Sequence, residues 1–242
     1  MGQSAALMER FRIHHFESMG STQIEAKKMY YGPGDIITAD MQTASYGRRG
    51  RTWQAPIGNL FMTMVEEKLD GEQFAWLGYA VGLALYDAIH PLLKDQAKLN
   101  LKWPNDLIID GQKMSGILLE VESDRVLIGI GVNVSVVPRT DQPVTCINDH
   151  AKNSHQPTDI LQAFLPRYQH WFEEGKQHGF PAMRKAWLSR AAYINEVITA
   201  RLADGTELTG VFNDIDQQGA LVLQAENRHY TVTAADIYST KK

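Results

Sequence analysis

Apolar and polar positions alternate over most of the chain and give way to helical spacing in a few places. Phe11 to Phe16 predicts a short strand, and Ser21 is a natural N-cap for a helix running to about Tyr31. Gly32-Pro33-Gly34-Asp35 breaks that helix, Asp35 to Met41 returns as a strand, and Asn59 to Lys68 follows as another. In the last of these, Leu60, Met62 and Met64 alternate with Phe61, Thr63 and Val65, a nearly continuous apolar run that predicts cover on both faces. From Phe74 to Leu93, Leu77, Val81, Leu85, Ala88 and Leu92 keep close to helical spacing, with Pro91 as a disruptor near the end. Leu99, Leu101 and Trp103 then alternate with Asn100 and Lys102. Leu107 to Asp110, Ser115 to Val121 and Val126 to Val132 read as strands joined by turns at Asp110-Gly111 and Ser123-Asp124, hence as antiparallel neighbours. Thr158 is expected to cap a helix over Asp159 to Phe172, and a second helix is expected from about Pro181 to Arg190.

Beyond Tyr193 the pattern shortens. Val197 to Leu202, Leu208 to Asn213, Ala220 to Gln224 and His229 to Val232 are strand-like runs separated by Asp204-Gly205, Gln218-Gly219 and Glu226-Asn227. A strand about every ten residues reads as a small β-barrel or sandwich. The expected division is therefore a larger domain, 1–192, and a smaller one, 193–242.

Composition narrows this picture. With 242 residues and 44% hydrophobic content, the chain can bury one sizeable core beside a small second one. The net charge of -4 argues against a general nucleic-acid binder and requires any cationic site to be local. The single cysteine, Cys146, excludes an internal disulfide framework and a cysteine zinc site, and reads as a small core residue in a reducing cytoplasm. The N-terminus has no signal-peptide pattern, and no apolar run reaches the roughly 18 residues of a membrane span.

Two clusters carry candidate chemistry. Lys102 ends an apparently buried strand at Lys102-Trp103-Pro104-Asn105-Asp106, where Pro104 keeps Trp103 extended. Desolvating an ammonium is costly unless an anion meets it, so this lysine points to an anionic ligand. A lysine snorkelling ahead of an ordinary Pro-Asn-Asp turn is an equal alternative. The segment Gly47-Arg48-Arg49-Gly50-Arg51 packs three arginines and two glycines into five residues, with Trp53 close behind. It reads as an anion clamp whose glycines admit close backbone approach, or as a solvated basic loop, or as an arginine-aromatic patch for RNA, which the net charge does not support. Together the clusters fit chemistry done by positioning and charge neutralisation, such as attack of a carboxylate on the α-phosphate of ATP.

The order Gly47 to Trp53, Lys102 to Asp106, Lys113-Met114-Ser115-Gly116-Ile117-Leu118 and Gly129-Ile130-Gly131-Val132-Asn133, with Ser21-Thr22 and Gln42 upstream, resembles the biotin protein ligases. Ile194-Asn195 and Gln218-Gly219-Ala220-Leu221 are similar to the small barrel that ends bacterial members. The resemblance runs from about residue 12 to the end. It implies an α+β fold: a mixed, largely antiparallel sheet with packed helices, like that of class II aminoacyl-tRNA synthetases, followed by a Src-homology-3-like barrel. It implies that biotin and MgATP give biotinyl-5′-AMP, which is then attacked by one lysine of the biotin carboxyl carrier protein of acetyl-CoA carboxylase. By the same resemblance, Ser21, Thr22, Gln23 and Gln42, with Tyr46, Gly47 and Gly116, would bind biotin. Arg48 and Lys102 would act at the reacting centre and touch both biotin and nucleotide, while Arg51, Trp53 and Asn133 would engage the adenylate. The metal ligands stay unassigned, with Asn105 and Asp106 readable as metal groups or as a turn.

The chain departs from the family pattern at one place: Gly-Arg-Gly-Arg is common there, and this chain has Ser45-Tyr46-Gly47-Arg48. Ser45 would constrain the loop if left-handed geometry were needed, and Tyr46 offers a ring where a cation is expected. Two rival readings follow: a lipoate or octanoate ligase or transferase of the same fold, and a catalytically weak biotin- or nucleotide-binding sensor. The ten residues before Phe11 are too few for a helix-turn-helix, so a short form without DNA binding, and with no membrane partner, is expected.

Overall fold

The computed structural model describes residues 10–69, 72–225 and 228–240. Its larger sheet contains β1 (Arg12–Met19), β2 (Asp35–Gln42), β3 (Leu60–Glu67), β4 (Leu99–Lys102), β5 (Asp106–Ile109), β6 (Gln112–Glu122) and β7 (Arg125–Val132). The order is β1-β2-β3-β7-β6-β5-β4, antiparallel throughout except for β1 beside β2. The helices are α1 (Thr22–Glu25), α2 (Glu72–Ile89), α3 (Ile147–His150), α4 (Pro157–His178) and α5 (Phe180–Leu188).

Period-2 alternation decides which face each strand residue joins. Ile36, Met62, Met64, Ile128 and Ile130 enter the main apolar cluster with Leu77, Val81, Phe164 and Trp187 of α2, α4 and α5. Ile37, Val65 and Leu127, one residue out of phase, join a smaller cluster with Ala26 and Tyr31 on the other face. Three helices thus cover one face, and α1 with its following turn covers only part of the other.

Three elements differ from the pattern-based expectation. The helix capped by Ser21 stops after four residues at Glu25. Beyond it, the buried Arg125 guanidinium donates to the carbonyls of Lys27, Lys28 and Tyr31, drawing the acceptors a longer helix would need. Helix α4 begins at Pro157, whose missing N–H costs nothing in a first turn, and Asp159 accepts from the Gln156 N–H at 2.8 Å. Its cap is therefore Gln156 rather than Thr158. A strand that was not anticipated, β12 (Asp236–Ser239), follows β8 (Val197–Arg201), β9 (Glu207–Ile215), β10 (Leu221–Ala225) and β11 (Arg228–Val232).

These five strands form a second antiparallel sheet in the order β11-β10-β9-β8-β12. It shares the main apolar cluster through Ile198, Phe212 and Leu221, and the Trp103 indole donates to the Gly219 carbonyl at 3.1 Å. The turn read at Glu226-Asn227 lies outside the described residues, as do residues 1–9.

Candidate functional site

The site lies on the sheet face away from the three long helices. At one end, Ser21 adopts extended backbone (φ -160°) and its hydroxyl accepts from the Ile24 N–H at 3.4 Å, starting α1 above the sheet. The Thr22 N–H donates to Gln42 Oε1 at 2.7 Å, and the Thr22 hydroxyl reaches the same oxygen at 3.2 Å. Thr63 Oγ1, from β3, lies 2.9 Å from Thr22 Oγ1 and 3.0 Å from Gln23 Oε1. Ser21, Thr22, Gln23 and Thr63 are all buried, so this end is a sheltered cluster of hydroxyl and amide groups.

The other end is cationic. Residues 45–53 fold back as a small hairpin with Tyr46 bridged to Thr52, and the Gly47 N–H donates to the Arg51 carbonyl at 2.7 Å. The left-handed positions are Arg49 (φ 58°) and Gly50 (φ 71°). Ser45 is not among them; its hydroxyl closes the hairpin on the Trp53 carbonyl at 2.8 Å. The serine that replaces a family glycine therefore ties this loop without straining it. Arg48 Nη1 donates to Asn105 Oδ1 at 3.1 Å, and the Asn105 amide donates to the Ile117 carbonyl at 2.6 Å. Arg51 pairs with Asp236 of β12, and Arg49 Nη1 stands 3.8 Å from the same carboxylate. Burial lowers the pKa of Arg48, and Arg49 and Arg51 add to the drop, while Asp236 and Asp106 offset only part of it. Desolvation would raise Asp236, but its bond to Arg51 and the neighbouring arginines hold it below the usual carboxylate range.

Between the two ends the floor is glycine. Trp53 lies on β6 and β7 so closely that a Cβ at Gly131 would come within 2.7 Å of the indole, and one at Gly116 within 3.0 Å. All the residues nominated from the sequence line one cavity of about 250 Å³, with the exception of Lys102. Lys102 Nζ sits 5.6 Å over the Tyr238 ring, facing Asp106 across the β4–β5 ladder. Burial lowers its pKa, Asp106 and Asp236 raise it, and Lys113 lowers it further. Asp106 and Asp236 thus offset only part of the cost of burying the Lys102 charge. The lysine that does line the cavity is Lys113, paired with Asp106 at 2.6 Å and 5.3 Å over the Trp53 ring.

Thr63, Lys113 and Asp236 were not nominated from the sequence. The signal for Thr63 was a hydroxyl inside an apolar run. Lys113 opens the Lys113 to Leu118 motif, and Asp236 comes from a strand that the alternation of the sequence does not mark. Three buried atoms of cavity-lining residues, Trp53 Nε1, Asp106 Oδ1 and Asn133 Oδ1, have no hydrogen-bond partner among the described residues; Lys113 pairs with the second as an ion, and a bound polar ligand would relieve the other two. Asn105 and Asp106 are engaged with Arg48 and Lys113, and no group of three or more His, Cys, Asp or Glu side chains is placed to hold a metal among the described residues. No described helix is long and apolar enough to cross a membrane.

A polar pocket running to a cationic end over a glycine floor, on one face of an α+β sheet, can hold a small acid with a second anion beside it, as an acid-activating enzyme requires. The biotin/lipoate A/B protein ligase family is matched over residues 19–136, and the biotin protein ligase C-terminal domain over residues 193–238. The chain is 35% identical to the biotin--[acetyl-CoA-carboxylase] ligase of Paracoccus denitrificans, covering 90% of this chain and 96% of that one. The ligase of the same name from Mycobacterium tuberculosis is 30% identical, over 84% of this chain and 78% of its own length. The fold is that of the Aquifex aeolicus biotin protein ligase solved with biotin and ATP: TM-score 0.86 at 22% identity, covering 95% of this chain and 99% of the other. The chain belongs to the biotin protein ligase family.

Proposed function

We propose that this chain activates biotin with ATP and transfers it to a lysine of the biotin carboxyl carrier protein of acetyl-CoA carboxylase. The observation that carries the proposal is one cavity joining a buried hydroxyl-amide end to a cationic end over a glycine floor. Ser21, Thr22, Gln23 and Gln42 suit the ureido ring, which offers both N–H donors and a carbonyl acceptor. Tyr46, Gly47 and Gly116 line the path of the acyl chain. Arg48 and Lys113 then flank the biotin carboxylate and the α-phosphate.

In the first step a carboxylate oxygen of biotin attacks the α-phosphorus of ATP, which enters as its magnesium complex, and pyrophosphate leaves. Two anions must approach, and each fixed cation is worth ~2–4 kcal/mol of that barrier. Lys102, outside the cavity lining, acts on this centre through Asp106 rather than by touching the reacting atoms. Arg51, Trp53 and Asn133 suit the adenylate, the last two through their unpartnered polar atoms. In the second step the carrier amine attacks the mixed anhydride and AMP leaves.

The division of labour proposed is a catalytic part, 1–192, and a C-terminal part, 193–242. The beginning of the C-terminal family match at residue 193 supports it. A cytoplasmic location is proposed with it, in keeping with the single buried, unbridged thiol of Cys146.

Pyrophosphate release tests the activity. Biotin should support it, and lipoate and octanoate should support it at least about a hundredfold less, as expected for a pocket built to hydrogen-bond a ureido ring. Binding of biotin with no pyrophosphate would make the chain a sensor, and equal release with lipoate would move it to the neighbouring ligases.

A further inference from the structure

Glu120 stands in the same row of β6 as Gly116 and Leu118, on the cavity side of the sheet, though it does not line the cavity itself. Its carboxylate gathers groups from two other elements. The Tyr46 hydroxyl lies 3.0 and 3.2 Å from its two oxygens, the Gln23 amide donates at 3.1 Å, and the Lys27 ammonium is 3.3 Å away. Tyr46 belongs to the hairpin that carries Arg48, whereas Gln23 and Lys27 belong to α1 and the turn after it. Gln23 Oε1 reaches Thr63 Oγ1 at 3.0 Å, and Thr63 Oγ1 reaches Thr22 Oγ1 at 2.9 Å. A continuous polar line therefore runs from the arginine hairpin, through Glu120, to the buried end of the cavity.

We infer that Tyr46 and Glu120 form a latch that holds the arginine hairpin over the cavity and couples it, through Gln23, to occupation of the polar end. The latch rests on the ligase reading, and it gives Tyr46 a positioning role. Tyr46 stands where the family pattern has an arginine, so a phenol donating to a carboxylate takes over the anchoring of a cation. Burial first, and then Glu120, raises the Tyr46 pKa, which keeps its hydroxyl a donor through the neutral range. A rival role for Tyr46, a ring that simply covers the ligand, makes the opposite forecast for two variants. Phenylalanine would preserve the cover, and arginine would lose it.

The test uses the full chain, loaded with biotin and ATP in the absence of carrier, and follows the rate at which biotinyl-5′-AMP leaves. Tyr46→Phe and Glu120→Ala should each release it about tenfold faster, the size of one charge-assisted hydrogen bond. The double variant should be no faster than the faster single one, because both changes break the same contact. Tyr46→Arg should restore slow release. Melting curves establish that each variant folds, and Glu120→Met, which keeps the length of the side chain without an oxygen acceptor, replaces Glu120→Ala if the alanine form does not. Release by Tyr46→Phe at the parent rate, additive singles, or a Tyr46→Arg form as leaky as Tyr46→Phe would overturn the latch. Failure of the parent chain to form pyrophosphate from biotin and ATP would instead remove the ligase reading, and the latch with it.

Discussion

Lys102 and Lys113 show how far a single residue can be read. Each lies in a motif that the sequence displays, and the strand-end position drew attention to Lys102. Counting alternately back from Gly116 and Leu118, which line the cavity, sends Lys113 to the helix-covered face. The ladder shifts register between Leu107 and Ile108, so that Ile108 pairs with Lys113 while Leu107 pairs with Ser115. That irregularity reverses the phase: Met114 joins the helix-side core and Lys113 the cavity. A bulge leaves little trace in a hydrophobic pattern, which is why this lysine was not singled out. Replacement of Lys113 by alanine should slow biotin-dependent pyrophosphate release about a hundredfold, as loss of a group stabilising transition-state charge does. Lys102→Ala should cost less, because Lys102 stands outside the cavity lining. Single-turnover rates for the two variants check the order; a larger loss for Lys102→Ala would return the direct role to that residue.

Among the elements, strands were the most legible, because alternation in β2, β3 and β7 separates the two buried faces directly. Helix ends were less so. The four-residue α1 is fixed by Arg125, about a hundred positions away, and no local pattern announces a guanidinium that claims three carbonyls. The parallel strand β1 depends on a similar polar device. Asp35, buried at the start of β2, accepts from Arg12 Nε at 2.9 Å and from the Gly32 N–H at 2.7 Å, with His14 Nε2 at 2.8 Å. Burial alone would raise its pKa; the Arg12 bond, the Gly32 N–H and His14 overcome that and bring it to about 2. Because the folded value lies below the unfolded one, the stability Asp35 contributes is complete above about pH 5 and is lost as pH falls towards 2. Asp35→Asn should therefore cost about 2 kcal/mol at pH 7 and much less near pH 2. Denaturant unfolding of both forms across this range checks it; a pH-independent difference would mean that packing, not charge, is what Asp35 supplies.

For the whole molecule, the sequence indicated two units and a site in the larger one, and it was silent on how they meet. The structure joins them both at the cationic end of the cavity and on the helix side of the large sheet. Asp236 of the small sheet holds Arg51 of the hairpin, Tyr238 lies beneath Lys102, and Gly219 accepts from Trp103. Such long-range pairings arise from tertiary packing and leave no spacing to read. They also place Asp236 of the C-terminal sheet in the lining of the cavity proposed to activate the acid, so that activation and delivery to the carrier are expected to depend on both units. The most direct measurement is transfer itself: the chain is incubated with biotin, ATP and a biotin carboxyl carrier domain, and the product is mapped by mass spectrometry. One biotinylated carrier lysine is expected, with AMP released and no label when that lysine is replaced by arginine. Pyrophosphate formation without labelled carrier, or carrier labelled equally well with lipoate, would contradict the assignment.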